Sequence, residues 1–254
     1  MDQEVIDFFN LHKDVTHNKD VLPVPDEFIN ATSDQEIFNF FKWIRHQSCC
    51  KSLKLDIEYD ITELQTELKS RVALAIPHRE SKTGWKSITL YGYSSIMTNS
   101  YEQYKQDGLI TDDDVIDWTD ISKFFPKTVT WLKQNCPLKE YNRIRIMVLD
   151  PNGSSEPHKD YYLGQILCGP LNVAICNPVG AEFVLEDGGL VPWKEGDFRS
   201  MDLGSVHCVR NTSQEPRIHI IISPGKNDWD IDAMRVACRS FIKYQRERDD
   251  ARRN

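Results

Sequence analysis

Between Arg143 and Ser223 the chain is a succession of short β-type runs, with a turn signal between each run and the next. RIRIMVLD (Arg143–Asp150) alternates, placing Ile144, Ile146 and Val148 on one side, and the turn DPNG follows at once. LNVAICNP (Leu171–Pro178), AEFVLED (Ala181–Asp187), DFRSMDL (Asp197–Leu203), HCVRN (His207–Asn211) and RIHIIIS (Arg217–Ser223) complete the series. Gly, Pro, Asn or Ser separates them. Many short strands broken by turns every 8–12 residues or so predict a β-sandwich or a closed barrel.

The flanks have a different texture. SDQEIFNFFKWIR (Ser33–Arg45) predicts a helix, with Ser33 as N-cap and Glu36 as its capping-box partner. Ile37, Phe40, Phe41 and Ile44 recur at helical spacing and read as a core-facing stripe. From about Val72, VALAIPH and SITLYGY are β-type runs interrupted by Pro77, Gly84 and Gly92. FFPKTVTWLKQN (Phe124–Asn135) predicts a helix with Phe125, Val129 and Leu132 on one face and Pro126 in its first turn. DWDIDAMRVACRSFIKYQRERDDARRN predicts a closing helix, its apolar side made by Ile231, Met234, Ala237, Cys238, Phe241 and Ile242. The expected organisation is a mainly helical region over residues 1–70, a β domain over 71–225 and a C-terminal helix over 226–254.

Composition narrows the function classes. The net charge of −8 runs against the basic footprint of a dedicated nucleic-acid binder. No apolar run approaches the roughly 20 residues needed to cross a bilayer, and the N-terminus MDQEVIDFFN carries acids where a leader would carry bases. The seven cysteines form no CxxC pair of zinc-site spacing. A reduced, cytoplasmic setting is the expectation. The acidic stretch ITDDDVIDW (Ile110–Trp118) lacks the calcium-loop pattern and reads as a solvated turn.

The chemistry gathers in His158-Lys159-Asp160, His207 and Arg217. Residues two apart on an extended segment point to the same side, so His158 and Asp160 can reach one ion. His207 arrives from another strand, as jelly-roll strands distant in sequence face each other. Two neutral imidazoles and one carboxylate form the ligand set of non-haem Fe(II) oxygenases and leave coordination positions open. Arg217 can anchor an acidic co-substrate by a bidentate, charge-assisted bond.

His-x-Asp alone carries little, because His12-Lys13-Asp14 repeats the tripeptide without any strand context. What distinguishes the second copy is order: a strand and a Pro-Asn-Gly turn before it, then HCVRN, then an arginine opening the next strand. Two histidines and a carboxylate also serve hydrolytic zinc. The chain has no HExxH helix, and hydrolysis leaves Arg217 without a role. A cupin-type hydrolase or isomerase and a non-catalytic jelly-roll binding module stay open as alternatives.

PHKD, GDFRSMDLGSVHCVRNTSQEPRIHIIIS and the strand RIRIMVLD resemble the aspartyl/asparaginyl β-hydroxylase-like branch of the Fe(II)/2-oxoglutarate oxygenases, which includes the L-proline cis-hydroxylases. The most specific part is H-x-V-x-N-x5-R followed by an apolar strand. The resemblance covers roughly residues 84–224. It implies a double-stranded β-helix (jelly roll) core with helical additions. It implies that His158, Asp160 and His207 hold Fe(II), and that Arg217 meets the distal carboxylate of 2-oxoglutarate. It further implies O2 as co-substrate, with succinate and CO2 released as an unactivated C–H bond of an amino acid or amino-acyl substrate is hydroxylated. Asp202 matches a position often acidic in the family, and a turn-stabilising hydrogen bond is its simplest role. The presence of Asp160 places the chain on the complete-triad side. Members there often carry a charged strand where this chain has LNVAICNP, with Asn172 and Cys176.

Substrate contacts are expected from four positions. Arg143 and Arg145 lie on the strand face opposite Ile144, and Arg145 suits a substrate carboxylate. Tyr161, with Tyr162 beside it, follows the HKD tripeptide and can form a wall. Asn172 lies on the strand that departs from the family pattern, and Trp85 near the expected entrance. The expected partner is a small amino acid or a peptide or protein substrate, not a nucleic acid or a membrane.

Overall fold

The computed structural model describes residues 3, 5, 7, 16–78, 84–111, 113–160, 169–225 and 229–253. In chain order, after a 3-10 turn at Asp26–Phe28, come helix α1 (Asp34–His46), strand β1 (Ser52–Lys54) and helix α2 (Thr62–Ser70). Next come β2 (Ile76–Pro77), β3 (Trp85–Gly92), α3 (Tyr101–Gln106), β4 (Asp117–Trp118) and α4 (Pro126–Asn135). β5 (Tyr141–Leu149), β6 (Ser154–His158), β7 (Leu171–Cys176), β8 (Ala181–Leu185) and β9 (Gly189–Leu190) follow. β10 (Phe198–Met201), β11 (His207–Asn211), β12 (Arg217–Pro224) and α5 (Ile231–Arg253) close the chain.

The strands form two antiparallel sheets. The larger runs β1-β10-β7-β12-β5-β3-β2, with β4 attached to β3, and the smaller runs β6-β11-β8-β9. β5 passes into β6, from one sheet to the other, through the expected DPNG turn. There Gly153 N–H donates to Asp150 O at 2.9 Å, and Asn152 takes a left-handed φ of 59°, which asparagine tolerates better than most residues. The core is a double-stranded β-helix with helices added at both ends, as the family resemblance implies.

The alternation in β5 decides which side meets which core. Ile144, Ile146 and Val148, with Ile218, Ile220 and Ile222 of β12, face the helices and join Phe40, Phe41, Ile44, Leu132 and Phe241 in the main apolar cluster. Each such side chain, fully buried, contributes about 1.5–3 kcal/mol. The opposite side of the sheet faces the smaller sheet, where Ala174, Leu185, Val191, Trp193, Met201 and Leu203 form a second cluster. That inner space holds the polar residues discussed below.

The helices dock as their patterns require. Ser33 caps α1, with Glu36 N–H donating to its Oγ at 3.3 Å and Ser33 N–H donating to Glu36 Oε2 at 2.9 Å. The stripe Ile37, Phe40, Phe41 and Ile44 is buried. α4 has no side-chain cap of its own. Buried Glu67 of α2 accepts instead from Lys127 N–H, Thr128 N–H and Thr128 Oγ1 at 3.1, 2.8 and 2.7 Å. This carboxylate meets the positive end of the helix dipole. On α4, Trp131 joins Leu132 inside while Val129 is half-buried, because Trp131 stacks on Phe198 of β10 at 5.5 Å.

Two readings are refined. VALAIPH is a 3-10 turn at Val72–Leu74 followed by only two strand residues, since Pro77 has no N–H to extend the ladder. The N-terminal region also supplies β1, which pairs with β10 at Ser52↔Met201, a strand too short to show periodicity. Among the described residues, no helix is long and apolar enough to cross a membrane. The six described cysteines are free thiols. The first His-x-Asp tripeptide, His12-Lys13-Asp14, lies outside the described residues.

Candidate metal centre and anion pocket

His158 ends β6 and His207 begins β11, and the antiparallel register pairs them directly. Asp160 follows two residues after the strand, its N–H donating to Leu203 O at 2.9 Å, which ties the tripeptide to the approach to His207. One ligand atom from each of His158, Asp160 and His207 lies within 4.8 Å of the others. His158 Nε2 and His207 Nε2 each stand 4.0 Å from a carboxylate oxygen of Asp160.

Both rings present the same nitrogen. His158 Nδ1 lies 2.7 Å from Glu156 O, and His207 Nδ1 lies 3.0 Å from Ser205 O. A carbonyl only accepts, so each neutral imidazole carries its proton on Nδ1 and keeps the Nε2 lone pair for an ion. His207 is buried and His158 is partly exposed, so the group has one face in the protein and one toward solvent. Burial and the neighbouring His158 ring push the His207 pKa down, favouring the neutral, ligating form. Phe183 stacks on the His207 ring at 5.6 Å and fixes its plane.

Asp202 plays the turn-stabilising part. It accepts from Gly204 N–H at 3.2 Å and from Ser205 Oγ at 2.7 Å, and pairs with Lys51 Nζ at 2.7 Å. The turn that delivers His207 is thereby braced from β1's neighbourhood.

Arg217 opens β12 and lies inside the barrel, 2% exposed. Its guanidinium stacks over the Trp193 ring at 4.6 Å, Nε donates to Asn177 Oδ1 at 3.2 Å, and Nη1 donates to His219 Nδ1 at 3.0 Å. Among the described residues, Nη2 is buried without a hydrogen-bond partner. Burial draws the Arg217 pKa down to about 9, so the group remains a cation at neutral pH. His219 stands between Trp85 and Trp193, 5.8 Å from each ring. Burial and the Arg217 and Arg145 charges hold its pKa well below the usual histidine value.

The remaining expected residues separate. Arg145 and Asn172 fall in one row across the inner face of the larger sheet, both in register with Ile221. Arg145 Nη1 lies 3.4 Å from His78 Nε2, and Asn172 Nδ2 is buried with no partner among the described residues. Trp85 is in register with Leu149, as Arg217 is, which places it at the Arg217 end of the sheet. Arg143 turns to a structural task, donating to Met97 O at 2.6 Å and Asn99 O at 2.7 Å. Tyr161 and Tyr162 lie outside the described residues. Cys176 is buried at the end of β7, its thiol pushed up to about 11.

Asn177, Trp193 and His219 are absent from the sequence reading. Only His219 left a signal there, being two residues after Arg217 on a strand and therefore on the same face. Asn177 and Trp193 come from segments outside the strands, where no periodicity points inward.

Among solved structures, the chain is similar to a 2OG-Fe(II) oxygenase family oxidoreductase from Burkholderia pseudomallei, with 11% identity over 76% of this chain and 90% of that one, TM-score 0.39. It is also similar to a Pseudomonas putida prolyl-4-hydroxylase, with 11% identity over 68% and 92% of the chains, TM-score 0.40. A third is the viral collagen prolyl hydroxylase of Paramecium Bursaria Chlorella virus-1, crystallised with 2OG, with 14% identity over 68% and 94%, TM-score 0.36. No curated protein matches the chain. A family model described as aspartyl/asparaginyl beta-hydroxylase matches residues 55–224. That match runs from the residue after β1 to the last residue of β12, and the chain belongs to the aspartyl/asparaginyl β-hydroxylase family.

Proposed function

We propose that the protein is an Fe(II)- and 2-oxoglutarate-dependent dioxygenase that hydroxylates an unactivated C–H bond of an amino acid or amino-acyl substrate. The observation that carries this reading is the pairing of a two-histidine, one-carboxylate group with a buried arginine inside the same barrel. The donor set suits ferrous iron and leaves coordination positions open. The orphaned Nη2 of Arg217 suits a carboxylate oxygen, which a guanidinium meets with charge-assisted bonds.

Iron and 2-oxoglutarate, when bound, supply the oxidising chemistry that places an oxygen atom from O2 in the C–H bond, with succinate and CO2 as co-products. The chain's own residues bind and orient. His158, Asp160 and His207 hold the metal, and the carbonyls of Glu156 and Ser205 keep both Nε2 atoms ready for it. Arg217 takes the distal carboxylate in a pocket walled by Trp85 and Trp193, where burial strengthens the attraction. Arg145 and Asn172 supply polar contacts to the substrate from the inner face of the larger sheet. The apolar lining around Phe183, Leu185 and Trp193 limits water in the barrel.

The test is anaerobic addition of Fe(II) and 2-oxoglutarate. The expected result is the weak visible charge-transfer band of the chelate, lost in His158→Ala, together with succinate release when free amino acids or peptides are supplied. No band, and no succinate with any amino-acid or peptide pool, overturns the reading. Tightly held zinc with hydrolytic activity does the same.

A further inference from the structure

Arg217 is a buried cation set among neutral groups. Its neighbours are an amide oxygen, an imidazole nitrogen and an indole face. Among the described residues no carboxylate pairs with it. Arg199 shows the contrast. It too is buried, on β10 of the same sheet, but its Nη2 lies 3.1 Å from Asp197, with a bond to Pro192 O besides. At Arg199 the fold supplies a carboxylate, whereas buried Arg143 is held by the backbone carbonyls of Met97 and Asn99. At Arg217 it supplies neither among the described residues.

The neutral neighbours are themselves fixed. Asn177 Nδ2 donates to Trp193 O at 3.0 Å, so its amide cannot turn and Oδ1 must face the arginine. Asn177 N–H donates to Glu195 Oε1 at 2.9 Å, while Glu195 Oε2 accepts from Gln65 Nε2 at 2.8 Å. The nearby acid is thus occupied by the strand end and by α2. At His219 the guanidinium can only donate, so Nδ1 is the acceptor and the ring proton sits on Nε2. Ala174 lies opposite His219 in the β7–β12 register, and its small side chain leaves room for the imidazole.

We infer that Asn177 and His219 are positioning residues that aim the Arg217 guanidinium while leaving its charge uncompensated, so that the terminal carboxylate of a dicarboxylate becomes its counter-ion. A carboxylate in either place would satisfy the arginine internally and compete with the ligand. An apolar residue would leave further buried N–H groups without acceptors, at a cost to the arginine's orientation. The inference rests on the reading of Arg217 as the co-substrate anchor.

The test uses metal-free protein titrated with 2-oxoglutarate and read by thermal melting, which requires no turnover. Wild type is expected to melt higher as ligand is added, by ordinary binding linkage. Asn177→Asp places a near-isosteric carboxylate on Arg217. It is expected to bind 2-oxoglutarate about tenfold to a hundredfold more weakly. His219→Gln keeps an acceptor and is expected to bind like wild type, whereas His219→Leu weakens binding. If wild type binds but Asn177→Asp binds equally well, the inference is overturned and the anchor reading stands. If His219→Gln and His219→Leu bind alike, the acceptor role of His219 is overturned. If wild type does not respond and an Arg217→Met control is indistinguishable from it, the anchor reading itself falls, and this inference with it.

Discussion

His158 and His207 face each other across the β6–β11 ladder with ring centroids 4.3 Å apart, and each Nδ1 is held by the carbonyl of the residue two positions earlier. The same local device thus operates on both strands. It fixes each ring by a backbone bond that does not depend on the partner, so the two Nε2 atoms are set before any ion arrives.

Removing any one of the three donors is expected to remove metal affinity. His158→Ala, Asp160→Ala and His207→Ala should each lower Fe(II) affinity by more than about a hundredfold, since changes to outer-shell partners alone cost 10- to 100-fold. Anaerobic metal titration measures it. His158 is partly exposed and His207 buried, so His158→Ala should leave the melting temperature nearly unchanged while His207→Ala lowers it. Fe(II) affinity within a few-fold of wild type in all three variants counts against the assignment.

Stability of the metal-free protein should fall on acidification through the histidines that are buried neutral. The His219 pKa lies well below its unfolded value, and burial together with the Arg199 charge lowers that of His17 to about 4. Below pH 6.5 or so the unfolded chain binds protons that the folded chain refuses. The stabilisation is therefore complete above about pH 6.5 and lost as pH falls toward the folded values. Each such histidine contributes a slope of up to about 1.4 kcal/mol per pH unit. Urea unfolding between pH 7 and 5 should show this slope, and His219→Gln should flatten it by one histidine's share. An identical slope in the variant removes His219 from the account.

Glu67 joins α2 to α4 through three hydrogen bonds at the N-terminal turn of α4. Glu67→Gln keeps one oxygen acceptor and loses the charge at the helix terminus, and should cost about 1–2 kcal/mol. Because the helices lie on the outer side of the larger sheet, the change should leave 2-oxoglutarate affinity unaltered. Chemical unfolding and ligand titration together check both halves.

The parts of this molecule legible in its sequence are those governed by a fixed local period or by a turn. The alternation in RIRIMVLD sorts Ile144, Ile146 and Val148 from Arg143 and Arg145, and β5 obeys it. Ser33 and Glu36 announce α1. The spacing His-x-Asp, followed by HCVRN and Arg217, brings its residues into one barrel because strand ends and turns are written locally. What was not legible depends on packing between distant elements. Asn177 and Trp193 reach Arg217 from segments with no periodicity, and Glu67 caps a helix that lies about sixty residues downstream. The different fates of Arg143 and Arg145 follow from the loop carrying Met97 and Asn99, which closes over only the first of them.

Asn211, the asparagine of the HCVRN run, holds the turn between the strand that carries His207 and the strand that carries Arg217. Fully buried, its Nδ2 donates to Leu149 O, Asp150 O and Glu215 O at 3.2, 3.2 and 2.7 Å, while Oδ1 accepts from Ser213 N–H at 3.1 Å and Ser213 Oγ at 2.7 Å. One amide thus joins the end of β5, the end of β11 and the start of β12. Asn211→Ala strips acceptors and donors that water cannot reach, and should cost about 2–4 kcal/mol of folding stability. Asn211→Asp keeps the size and loses the donor pair, facing three carbonyls with a carboxylate, and should cost at least as much. Because the turn sets where β12 begins, both variants should also weaken 2-oxoglutarate binding more than they weaken metal binding. Metal and ligand titrations at a temperature where the variants remain folded separate the two effects; equal losses would place the fault in the barrel as a whole.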